Sequence, residues 1–163
     1  MGTRVVGRDM DFMDEHEGRR PADRLRNAHA PRTSMHFTAT VHHGPDYLLV
    51  KGSGPALLTD LCGFMDLVAT VAGKGRYRRA VLDLLGVEIA LTFTEHLQLG
   101  AHAAEHLRDL ERVASIVSVQ NRKGTSEKAA QKLGLQLRTF TSLAEGLRWI
   151  GEEPVNPASG GNA

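Results

Sequence analysis

The sequence predicts an α/β domain with a single mixed, mostly parallel five-stranded sheet and about four helices. Three observations carry this. Strand-like apolar runs alternate with stretches of helical period across residues 35–151. Glycine turns and two capping boxes punctuate the alternation. The run Val81, Leu82, Leu84 and Leu85 reads as a buried central strand that ends at Gly86 and leads through a short loop into a helix.

Taken in order, Phe37, Ala39 and Val41 alternate with His36, Thr38 and Thr40, the period of a half-buried strand. Gly44-Pro45-Asp46 signals a turn, and residues 47–50 make a second, antiparallel strand that Gly52 and Gly54 are expected to break. Leu61, Phe64, Met65, Val68 and Val71 recur at helical spacing, with Gly73 and Gly75 expected to close that helix. After the central strand, Thr92 and Glu95 form a T-x-x-E capping box. The helix they open is expected to bury Phe93, Leu97, Gly100, Ala101, Ala104 and Leu107. Residues 113–119 read as the fourth strand. A short helix opens at Gly124-Thr125-Ser126 and closes at a left-handed Gly134, and residues 135–140 form the fifth strand. Ser142 and Glu145 make a second capping box for a last helix with Leu143, Leu147 and Ile150 inward.

Composition narrows the function classes. Twenty basic residues against 19 acidic leave a net charge of +1, so nucleic acid is not expected as the main partner. Aromatics at 5% are too sparse for a base-stacking platform. The single Cys62 excludes an internal disulfide and a multi-cysteine zinc site. No apolar run reaches the roughly 18 residues of a membrane span, and no secretory pattern opens the chain. A cytoplasmic protein of bacterial type is expected.

Residues 1–34 interleave arginine with aspartate and glutamate and show no apolar period, so they read as a disordered extension. Met35, where periodicity begins, is a candidate physiological start. Residues 152–163 read as a flexible tail.

Two segments carry a family resemblance. Residues 81–97, VLDLLGVEIALTFTEHL, resemble the central strand, loop and helix of STAS domains, whose founding member is a bacterial anti-sigma-factor antagonist. Residues 138–150, RTFTSLAEGLRWI, resemble the closing strand and helix of the SpoIIAA-like branch, the STAS/SEC14 proteins. The resemblance spans residues 35–150 and implies their fold and a regulatory or binding role. It departs at one place. The family's Asp-Ser-Ser-Gly stretch, with its phosphorylated serine, is replaced by Leu91-Thr92-Phe93-Thr94. Thr92 and Thr94 remain phosphate acceptors in principle, while capping alone already accounts for a threonine there.

His102, Glu105 and His106 spell H-x-x-E-H, a zinc motif. The expected inward face places all three away from the core with no third ligand evident, so a solvated face is the expectation. His96 is placed beside the loop, at the margin of the buried face, as either a pocket residue or a hydrogen-bonded core-edge histidine. Asp83 is expected to be buried and to accept backbone N–H bonds. Arg122, Lys123, Gly124, Thr125 and Ser126 join a strand end to a helix start, the chemistry of an anion site, although P-loop spacing is absent.

The resulting expectation is a non-catalytic regulatory or binding domain with no cofactor and no metal. Its recognition edge comprises Gly86, Val87, Ile89, Thr92, Phe93, Thr94 and His96, facing a protein partner or a small apolar or anionic ligand. Homodimerisation is left open. The alternatives are a regulator switched by phosphorylation at Thr92 or Thr94, and a small metal-dependent enzyme built on His102, Glu105 and His106.

Overall fold

The structure is a computed structural model and describes residues 36–152. The expected disordered extension, the candidate start at Met35 and nearly all of the expected tail lie outside the described residues.

Strand β1 (Thr38–His43) and strand β2 (Leu48–Ala56) form the antiparallel hairpin around the Gly44 turn. Helix α1 (Leu58–Gly75) leads to the central strand β3 (Arg79–Ile89), and helix α2 (Phe93–His106) to β4 (Arg112–Ile116). A single 3-10 turn (Val119–Asn121) precedes helix α3 (Thr125–Lys132) and strand β5 (Leu137–Phe140); helix α4 (Leu143–Gly151) closes the described chain. The sheet order is β1-β2-β3-β4-β5, parallel from β2 onward. This is the mixed, mostly parallel five-stranded sheet with four helices that the pattern predicts.

Two cores lie on opposite sides of the sheet. Leu61, Phe64, Met65, Val68, Leu99, Ala103 and Ala130 bring α1, α2 and α3 onto one face, against Leu48, Val50, Leu82 and Leu84. On the other, Ile150 of α4 packs with Val81, Ala114 and Ile116, bordered by Phe140, Leu143, Leu147 and Trp149. Opposite faces take alternate residues along a strand, so the apolar run of β3 serves both cores.

Four local readings are corrected. Gly52 and Gly54 do not break β2. At Gly52 a Cβ would lie 3.1 Å from the Phe37 ring and 3.2 Å from Leu84, so the bare backbone lets these two side chains close over the strand. Gly86 does not end β3, which continues to Ile89 beside Ser53, Gly54, Pro55 and Ala56. The register shifts between Lys51 and Ser53, so Leu84 and Leu85 together span the step that Gly52 makes on β2. That bulge reverses the alternation and returns Val87 and Ile89 to the face of Leu82 and Leu84. Asp83, 6% exposed, holds it by accepting the Leu85 N–H at 3.2 Å.

Gly73 and Gly75 lie inside α1. The left-handed residue that closes the helix is Arg76 (φ 56°), with the Tyr77 N–H returning to the Ala72 carbonyl at 2.9 Å. Ser142 makes no side-chain cap bond, so the second capping box is not formed. Gly134 does take the left-handed form expected, at φ 97°.

Candidate functional site

Helix α2 opens as its sequence requires. The Thr92 Oγ1 accepts the Glu95 N–H at 3.2 Å, and the Glu95 carboxylate accepts the Thr92 N–H at 2.8 Å. Its inner face is the expected one only in part: Gly100, Ala104 and Leu107 are inward, Phe93, Leu97 and Ala101 are not. Leu99, Gly100, Ala103, Ala104 and Leu107 are buried, whereas Ala101, Phe93 and Leu97 are exposed, the last two at 69% and 41%. The true face is turned by roughly 60° from the expected one, at about 100° per residue. The cause is tertiary. Gly100 lets α3 approach so closely that a Cβ there would lie 2.5 Å from the Ser126 carbonyl oxygen and 2.7 Å from the Ala129 Cβ.

That approach assembles a small cavity at the carboxyl end of the parallel strands. Ile89, Leu99, Ala103, Ser115 and Val117 line its depth; His96, Asn121, Lys123, Gly124, Thr125 and Ser126 line its rim. His96 is half-buried, its Nδ1 3.0 Å from the Ser126 Oγ. Burial pushes the imidazole below the usual histidine range, the Lys123 ammonium pushes it further, and Glu95 opposes them. The ring is therefore neutral at pH 7. Asn121 donates to the Val87 carbonyl at 3.3 Å, tying the 3-10 turn to β3. The cavity is about 60 Å³, room for about four water-sized centres. Drug-sized ligands occupy roughly 300 Å³ or more, so an acyl chain does not fit it as it stands.

The expected edge is thus divided. Val87 is 3% exposed and belongs to the core, and Ile89 is a half-buried cavity wall. Gly86 lies in β3 facing Ser53. Thr92 is engaged as a cap, while Phe93 and Thr94 on the first turn of α2 are exposed. In the candidate anion segment, Lys123, Gly124, Thr125 and Ser126 gather at the rim beside His96, with Gly124 (φ 72°) as the N-cap of α3. Arg122 is exposed and does not line the cavity.

Outside the cavity, between α2 and α3, lies an open groove of about 320 Å³. Phe93 and Leu97 form one wall; Thr125, Ala129, Lys123, Lys128 and Lys132 form the other. Lys128 and Lys132 escaped the sequence reading, although their i, i+4 spacing after Lys123 was the available signal.

Farther along α2, His102 does not point into solvent. Its Nε2 lies 2.7 Å from Asp66 Oδ1 of α1, and His106 Nδ1 lies 3.3 Å from the same oxygen. The two rings stack at 4.0 Å. Glu105 is exposed and outside this group. Nothing in the sequence linked Asp66 to these histidines, because the contact exists only once α1 and α2 pack.

No protein-family model matches the sequence, and no curated protein matches it. Among solved structures, the fold is similar to an anti-sigma factor antagonist from Mycobacterium paratuberculosis, at TM-score 0.53 and 15% identity. The match covers 76% of this chain and 98% of that one. The chain has the STAS/SpoIIAA-like fold. An uncharacterised protein of SpoIIAA-like fold from Shewanella loihica is also similar, at TM-score 0.46 and 19% identity over 70% of this chain and 93% of that one. Among the described residues, no helix is long and apolar enough to cross a membrane.

Proposed function

We propose that this STAS-like domain is a regulatory module that docks a partner protein in the groove between α2 and α3. The partner segment would be acidic and carry an apolar anchor. One observation carries the reading: Phe93 stands 69% exposed on a helix whose other side is packed, with Leu97 one turn on and Lys123, Lys128 and Lys132 around the groove. An exposed aromatic ringed by cations is an anchor pocket with charge complementarity to acidic chains. The groove also borders the carboxyl edge of the parallel sheet, where α/β domains commonly recognise ligands. An anti-sigma factor antagonist, by its name, acts on another protein, which favours a protein ligand over a lipid for this fold.

The test is to capture partners from the native cell on the full chain and on the Phe93→Asp/Leu97→Asp variant. The recovered protein's acidic segment is then titrated as a synthetic peptide. Binding weakened at least about tenfold by the variant, and weakened further by salt, is the expected result. Equal binding by both chains would reject the groove.

A further inference from the structure

We propose that Asp66, His102 and His106 form a binding site for a divalent late transition metal, with Zn²⁺ the expected ion, that ties α1 to α2. The side chains come from two helices already fixed by core packing, Asp66 from the first and the histidines, at i and i+4, from the second. Each offers one ligand atom, and all three atoms lie within 4.8 Å of one another. The two separations to Asp66, 2.7 and 3.3 Å, run to the same oxygen, Asp66 Oδ1.

A tetrahedral zinc with bonds of about 2.0–2.1 Å sets its ligand atoms roughly 3.3 Å apart. His106 Nδ1 already stands at that distance from Asp66 Oδ1, His102 Nε2 stands closer at 2.7 Å, and all three atoms lie within 4.8 Å, so small side-chain rotations would bring them onto one ion. Two imidazole nitrogens and one carboxylate oxygen suit zinc, copper(II) or nickel(II), whereas magnesium and calcium take oxygen ligands. For each ring, the nitrogen facing Asp66 presents its lone pair when the proton sits on the other nitrogen. The third ligand is Asp66, not the Glu105 that the H-x-x-E-H spacing offers. With side chains between about a quarter and a half exposed, the site keeps a fourth position open to water. Its role is to clamp the helix that carries Phe93 and Leu97, independently of whether the groove docks a partner.

The test is titration of the full chain with ZnCl₂ by calorimetry, in a Cys62→Ser background so that the thiol contributes nothing. Cobalt(II) serves as the spectroscopic probe. A saturable one-to-one isotherm with Kd on the order of 1 μM, a rise in Tm with zinc, and cobalt d–d bands are expected. Loss of a mere outer-shell partner costs about 10–100-fold in affinity, so His102→Gln and Asp66→Asn should each lose at least about 100-fold. Glu105→Gln should bind as the parent does. No saturable binding, or binding that survives in His102→Gln/His106→Gln through the other six of the eight histidines, overturns the assignment. Asp66 is exposed, so its variant keeps the fold, and the Tm without metal verifies that.

Discussion

His96 Nδ1 and the Ser126 hydroxyl stand 3.0 Å apart, joining the opening turns of α2 and α3 above the carboxyl edge of the sheet. The imidazole is neutral there, held below its usual range first by burial and then by Lys123. In the unfolded chain it returns to about 6.5. Above that value the folding contribution of His96 is complete. As pH falls through the lowered folded value, the unfolded state takes up the proton more readily and the contribution is lost. The difference in Tm between wild type and His96→Asn should therefore shrink from pH 7.5 toward pH 5. Proton NMR of the ring should show a midpoint below the ordinary value that moves up in Lys123→Ala. A ring titrating at or above about 6.5 would contradict the burial argument.

Glycines separate close approach from mere flexibility. Gly100→Ala must push α3 away from α2, because the new methyl meets the Ser126 carbonyl and Ala129. Overpacking of this kind costs about 1–3 kcal/mol. Gly63→Ala, exposed inside α1 with nothing within 4 Å, should instead stabilise by about 0.5–1 kcal/mol. Urea unfolding of the two variants checks the pair, and a stable Gly100→Ala would show that the helices are not pressed together.

Thr92 and Thr94 differ by one hydrogen bond. Thr92→Ala removes the cap and one half of the box, a loss of about 1 kcal/mol, whereas Thr94→Ala should stay within about 0.5 kcal/mol of wild type. Denaturant midpoints decide this. Phosphopeptide mapping in the native cell addresses the regulatory alternative separately; both threonines are exposed, and Thr92 Oγ1 is engaged in the cap.

Two phenylalanines should behave oppositely. Phe64 is 2% exposed and meets the Phe37 ring edge-on at 5.8 Å, so Phe64→Ala should cost about 3–5 kcal/mol. Phe93→Asp touches no core and should change stability by less than about 0.5 kcal/mol. If Phe93→Asp melted the domain, the residue would be structural and the docking groove would lose its anchor.

The order of elements was legible because each rests on local signals: the alternation in β1, the Thr92–Glu95 box, the left-handed Gly134. Two local signals failed, the Ser142–Glu145 box and the Gly73/Gly75 helix end; the other misses were decided by neighbours distant in sequence. Gly86 carries the signal of a strand end, yet Ser53 beside it continues the ladder. Phe93 and Leu97 carry the apolar character of a core face, yet the close approach of α3 at Gly100 sets the rotation of α2. His102 and His106 were visible as a pair, but Asp66 lies 36 residues before His102, and no periodicity joins them. The candidate anion segment lies between β4 and the body of α3, and its convergence with His96 requires the fold.

Among the described residues, the hairpin of β1 and β2 is the single antiparallel pairing, and every other pairing joins strands separated by a helix. A hairpin closes in about 1–10 μs, whereas parallel pairing waits on loop closure over whole helical crossovers. The rate of refolding should then be governed by the moment β3 finds β2, and the Leu84–Leu85 bulge, which has one workable alignment with Gly52, makes that meeting selective. Stopped-flow refolding followed by Trp149, on the far face and dependent on β4 and β5 as well, would register the slow, late completion of the sheet after the hairpin has long been formed.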